Sequence, residues 1–167
     1  GTAPKAQYWL FNTEDGASET LLEEYHWIRA AEYADSVGVD IITTSLGYTE
    51  FDDPQQNHRY ADLNGRTAPM SRAATMAARK GILVINAAGN EGNGPWKYIS
   101  VPADADSIIA VGAVDTTGKA ATFSGYGPSS DGRIKPDGAA GGGGTGRGDG
   151  TAKWVDGKGT SGAAPLR

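Results

Sequence analysis

Along this chain the spacing of apolar residues switches between a helical and an extended period, and the switches mark its elements. Leu21, Tyr25, Ile28 and Ala31 recur at helical spacing before Gly38, and Ser18 or Thr20 can cap that helix while Glu19, Glu23 and Glu24 suit its positive end. Residues 39–45 are β-branched, and residues 82–88 and 107–114 are nearly continuous apolar runs, as in strands buried on both faces of a parallel sheet. Residues 68–80 predict a second helix, with Pro69 in its first turn, Arg79 and Lys80 in its last, and Gly81 just beyond. A mixed run over residues 5–11, including Tyr8, Trp9 and Leu10, predicts a further strand closed by a loop over 12–18. The resulting order of strand, helix, strand, helix, strand, strand predicts an α/β fold with a mainly parallel sheet.

Open parallel sheets bind ligands at the carboxyl ends of their strands. Two tight turns fall there, Ser45-Leu46-Gly47 after one strand and Ala87-Ala88-Gly89-Asn90 after the next, so both are expected to face one crevice. Their small residues let a substrate backbone approach closely, and the Asn90 carboxamide can donate a hydrogen bond at the lip. Near the C-terminus, Gly159-Thr160 leads into a short helix start with Ser161 in or beside the first turn. Unpaired backbone N–H groups at such a point stabilise a developing oxyanion. The hydroxyl still needs a base.

Gly159-Thr160-Ser161-Gly162-Ala163-Ala164-Pro165 resembles the nucleophile motif of subtilisin-like serine proteases, and Ala87-Ala88-Gly89-Asn90-Glu91-Gly92 resembles their oxyanion-hole motif. Ser45-Leu46-Gly47 is similar to the segment that lines their substrate cleft, and Val101-Pro102-Ala103 and Ile134-Lys135-Pro136-Asp137 fall in the matching order. The resemblance implies a three-layer subtilisin-like fold, incomplete at both ends, with residues 1–167 forming the C-terminal part of a catalytic domain cut within the nucleophile helix. It implies a serine endopeptidase in which Ser161 attacks the peptide carbonyl and Asn90 stabilises the oxyanion. Ser45, Leu46, Gly47, Ala87, Ala88 and Gly89 would bind the substrate, which is a peptide or protein. It further implies secretion, a chemistry that requires no cofactor, and a Val101-Pro102 peptide that is often cis. The family's Asp and His motifs, which belong upstream of Gly1, are absent, so the isolated chain is expected to be inactive. Gly162 and Gly138 also depart from the family, which carries larger apolar residues there.

Composition narrows the alternatives. There are 15 Lys and Arg against 20 Asp and Glu, a net charge of −5 without a basic cluster, which argues against a nucleic-acid partner. No apolar run approaches the roughly 18 residues needed to cross a bilayer, which argues against a membrane span. With no cysteine, disulfides, thiolate metal sites and a Cys nucleophile are excluded. Glycine stands at 25 of 167, with eight between Gly138 and Gly150, which reads as one flexible stretch. Glu50, Asp52 and Asp53 could hold a structural Ca²⁺, although a solvated loop is the commoner fate of such a cluster; no other metal ligands suggest themselves. His26 and His58 lack a Gly-Thr context and read as structural or solvated. An α/β-hydrolase fails because its acid and base follow the serine, and a phosphate cradle at Gly89–Gly94 lacks a helix directly behind it. A degenerate protease-like domain that binds peptides or partners without cleaving them is the remaining alternative. The small, uncharged cleft segments are compatible with apolar or aromatic residues before the cleaved bond, and oligomeric state is not encoded in any of these patterns.

Overall fold

The computed structural model describes residues 3–148 and 154–166. Helix α1 (Leu21–Ser36) begins where Glu23 reaches back to accept the Thr20 N–H at 3.1 Å and the Asp15 N–H at 2.8 Å. Satisfying donors in this way anchors both the helix and the loop before it. Strand β1 (Ile41–Thr44) follows, then an irregular excursion, helix α2 (Pro69–Arg79) and strand β2 (Leu83–Ala87). Strands β3 (Ile109–Val114) and β4 (Gly138–Gly141) complete a parallel sheet of order β1-β2-β3-β4. An antiparallel ribbon, β5 (Gly143–Gly148) with β6 (Trp154–Lys158), leads to the short helix α3 (Thr160–Ala163).

Alternation along β2 shows why its sequence is apolar but for Asn86. Val84 faces a core built with Trp27 and Ala31 of α1 and Ala74 and Ala77 of α2. Ile85 and Ala87 face the other way, against Val111, Ala163 and Ala164 at α3. Helices on both faces bury both sets of side chains, which gives the expected three-layer α/β architecture with a parallel sheet. The indole of Trp27 also donates to Thr44 Oγ1 at 3.0 Å, fixing α1 to the end of β1. At the far side of the sheet Asp137 accepts the Ala110 N–H and the Lys135 ammonium, each at 2.7 Å, so the Lys-Pro-Asp segment fastens the entry of β4 to β3. The Val101-Pro102 peptide is cis.

Two expectations are corrected. Residues 5–11 form no strand: Tyr8, Trp9, Leu10 and Phe11 are exposed, and Trp9 and Phe11 rest edge-on against Tyr33 of α1. Apolar β propensity yields a strand only where a sheet edge offers backbone partners, and this run has none among the described residues. The glycine-rich stretch, in turn, takes up strand geometry in β4 and β5 as far as Gly148, because ladder hydrogen bonds need only backbone groups. Residues 149 and 150 of that stretch lie outside the described residues.

The cleft depends on the segment around Ser100, which a buried carboxylate holds. Asp104 accepts the Ser71 hydroxyl at 2.5 Å and the Gly65 N–H at 2.7 Å, while Arg133 donates to its backbone carbonyl at 2.7 Å. Burial pushes the Asp104 carboxyl above its ordinary value, against the opposing pull of those hydrogen bonds. A raised carboxyl contributes stability below its unfolded value, lost as pH rises through the folded one. Between a Ser161→Ala background and its Asp104→Asn derivative, the stability difference is therefore expected to shift in favour of Asn from about pH 4 upward. Denaturant unfolding at a series of pH values checks this; a constant difference would contradict it.

Candidate active site

Parallel pairing of Thr44 with Asn86 ends β1 and β2 side by side, so the chains leaving them run out together. Beneath both passes a third segment. The Ser100 N–H donates to Ala88 O at 3.0 Å, and Tyr48 and Val101 exchange backbone hydrogen bonds of 2.9 and 3.1 Å. The three segments enclose a crevice of about 50 Å³ whose lining includes Ser45, Gly47, Gly89 and Ser161. A Cβ at Gly47 would lie 2.0 Å from Ser100 Oγ, so no side chain fits there. Asn86 is fully buried below, donating to Leu46 O at 3.2 Å and Ala87 O at 2.7 Å.

Helix α3 closes one end of the crevice. Asn90 Oδ1 accepts the Thr160 N–H at 2.8 Å and lies 3.1 Å from the Thr160 hydroxyl. That hydroxyl also accepts the Gly89 N–H at 3.2 Å. The carbonyl end of the Asn90 side chain is thereby engaged, and its Nδ2 makes no hydrogen bond among the described residues. Ser161 and Ser45 are joined reciprocally: Ser161 Oγ donates to Ser45 O at 3.1 Å, and Ser45 Oγ donates to Ser161 O at 2.9 Å. The entry to α3 is pinned to the sheet where the Gly159 N–H donates to Gly142 O at 2.9 Å.

Of the residues singled out from sequence, Ser45, Leu46, Gly47, Ala87, Gly89, Asn90 and Ser161 line this crevice. Ala88 does not. Its side chain is fully buried in the core beneath α1 and α2, and only its carbonyl serves the cleft by holding Ser100. Sequence reasoning missed Glu91, Ser100 and Thr160 as lining residues. Thr160 and Glu91 sat within the quoted motifs without an assigned role, whereas nothing local marks Ser100. His58 Nε2 lies 2.5 Å from Glu24 Oε1 in the interior, and His26 Nδ1 lies 3.3 Å from Thr13 O; neither lines the crevice. Asp52 Oδ2 accepts the Glu19 N–H at 3.1 Å, and Asp53 caps a 3₁₀ turn through the Gln55 N–H. Among the described residues no three His, Asp or Glu side chains converge as ligands of a metal ion would.

The model of the subtilase family, Peptidase_S8, matches residues 1–166. The chain belongs to the subtilase family. Subtilisin NAT of Bacillus subtilis subsp. natto is 33% identical over 133 residues, 78% of this chain and 30% of that protein. The major intracellular serine protease of Bacillus subtilis (strain 168) is 33% identical over 127 residues, 74% of this chain and 34% of that protein. A solved self-cleaved protease domain of PatA superposes with a TM-score of 0.67 at 25% identity, covering 86% of this chain and 48% of the other. This subtilase chain therefore spans about a third of the length of the curated relatives it matches. Because one relative is intracellular, family membership does not carry the implied secretion; no helix among the described residues is long and apolar enough to cross a membrane.

Thr160 is the keystone between the two loops of this subtilase cleft. Replacing it by Val keeps the volume and the backbone N–H that holds Asn90 Oδ1, but removes the buried hydroxyl that accepts the part-buried Gly89 N–H and lies against Asn90 Oδ1. Unfolding in denaturant should show a loss of about 1–3 kcal/mol for Thr160→Val, and a clearly smaller loss for Thr160→Ser.

Proposed function

We propose that this chain supplies the nucleophile, the oxyanion donor and the substrate cleft of a serine endopeptidase. The general base and its orienting acid come from sequence upstream of Gly1. In this reading Ser161 Oγ adds to the carbonyl carbon of the scissile bond and passes its proton to that base. The oxyanion accepts from Asn90 Nδ2 and the Ser161 N–H, the C–N bond breaks as the amine takes the proton, and water then hydrolyses the ester on Ser161. Ser45 to Gly47 and Ala87 to Gly89 flank the residue before the scissile bond.

The observation that carries this reading is the orientation of Asn90. Thr160 engages its Oδ1, which leaves both Nδ2 protons for a ligand beside Ser161, and a donor fixed before reaction pays no reorganisation cost when charge develops. A second reading, a peptide-binding domain without catalysis, draws on the Ser161 hydroxyl donating to Ser45 O. A backbone carbonyl orients a hydroxyl but is too weak a base to activate it.

Labelling with a fluorophosphonate separates the two readings. The full-length protein should be labelled, and Ser161→Ala should abolish the label. Asn90→Ala should lower kcat by about 10²–10³, the loss known for removing this donor from a subtilisin. The isolated chain of 167 residues should turn over a chromogenic peptide no faster than its Ser161→Ala variant. A full-length protein that binds peptide but is neither labelled nor active would favour the binding domain.

A further inference from the structure

Asn86 is out of character with its strand. Leu83, Val84, Ile85 and Ala87 are apolar, and alternation along β2 turns Asn86 to the same face as Val84 and Ala88, toward the core under α1 and α2. A fully buried carboxamide on that face carries a desolvation cost that Leu or Ala would not. Thr44, the residue opposite it in the ladder, does not account for it. The Thr44 hydroxyl is engaged by the Trp27 indole, and Asn86 Oδ1 accepts no hydrogen bond among the described residues.

The amide nitrogen supplies the reason. A carboxamide has two N–H donors, and Asn86 Nδ2 donates to Leu46 O at 3.2 Å and to Ala87 O at 2.7 Å. Thr44 and Asn86 are the last paired residues of β1 and β2, so Leu46 lies beyond the backbone ladder. The Asn86 side chain adds a rung that the main chain no longer provides. Both groups it joins lead to the chemistry. Leu46 follows Ser45, which exchanges hydrogen bonds of 3.1 and 2.9 Å with Ser161, and Ala87 opens the turn that ends at Asn90.

We propose that Asn86 is a positioning residue for the reaction, setting the separation between the turn that holds Ser161 and the turn that carries Asn90. This rests on the endopeptidase reading above. Asn86 does not line the crevice. It acts through Asn90, keeping Nδ2 where charge develops as Ser161 adds to the carbonyl. Rate depends steeply on such placement, a displacement of about 1 Å costing on the order of 10²-fold.

The test uses the full-length protein and one chromogenic peptide. Turnover is expressed per site titrated with a fluorophosphonate, so a lower yield of folded enzyme does not enter. Asn86→Leu fills much of the same space without donors, and Asn86→Ala empties it. Each should lower kcat by about 10- to 100-fold and leave KM within about twofold of the parent, the pattern of an interaction that acts in the transition state. The comparison that separates placement from folding is made in an Asn90→Ala background. With the oxyanion donor gone Asn86 has nothing left to place, and residues that act as one unit are not additive, so Asn86→Leu should lower kcat there by less than about threefold. A role confined to the fold gives the same factor in both backgrounds. Parental kcat in the Asn86 variants, a loss carried by KM, or an equal loss with and without Asn90 overturns the proposal and leaves the endopeptidase reading standing. If neither Asn86 variant yields titratable enzyme while the parent does, the residue serves folding and the proposal falls in the same way. A parent that is neither labelled nor able to cleave the peptide overturns both.

Discussion

The cleft depends on one backbone constraint: the in-register parallel pairing of β1 with β2. Because Thr44 lies opposite Asn86, both strands end at the same level, and the turns that leave them have to share one edge of the sheet. Every further contact builds on that edge. Asn86 ties the two turns together from below, the segment around Ser100 crosses beneath them, and α3 is laid across the end through Asn90 and Thr160. A shift of one residue in this pairing would turn Asn86 to the opposite face and separate the turns by a strand pleat.

Much of this was legible in the sequence, for reasons that differ by element. The β2 and β3 segments announced themselves because strands covered on both faces are nearly continuous apolar runs, β1 because its run is β-branched, and α2 because Pro69 and Gly81 punctuate its ends. The turns after β1 and β2 and the Gly-Thr-Ser segment were readable because close backbone approach admits few residue types. What failed did so where side chains carry no signal. Strand β4 is Gly-Ala-Ala-Gly, held through main-chain groups, and no hydrophobic pattern reveals such a strand. Residues 5–11 failed in the opposite sense, since they have the composition of a strand without a neighbour to pair with.

The acidic residues at the start of α1 illustrate a subtler limit. The sequence placed Glu23 and Glu24 at the positive end of a helix, a reading that calls for exposed side chains. Both are buried instead, and each works as an acceptor for distant groups: Glu23 for the loop before the helix, Glu24 for the Met70 N–H at the start of α2 and for His58. Buried carboxylates persist only when paired in this way, and such partners, 46 residues away for Met70, are visible only once the chain is folded. Ser100 eluded the sequence for the same reason, since its neighbours at Gly47 and Gly89 come from two other loops.

Gly142 joins the segment entering α3 to the sheet with no slack at all. A methyl group there would lie 2.6 Å from Ala113 Cβ and 2.7 Å from Gly159 O, closer than atoms can approach. While outer positions of α1 such as Leu22 and Tyr25, which are solvent-facing, are free to drift through generations of substitution, this one is not. Innovation in such a scaffold is thus channelled toward the rim, where chemistry can be retuned without unseating the serine.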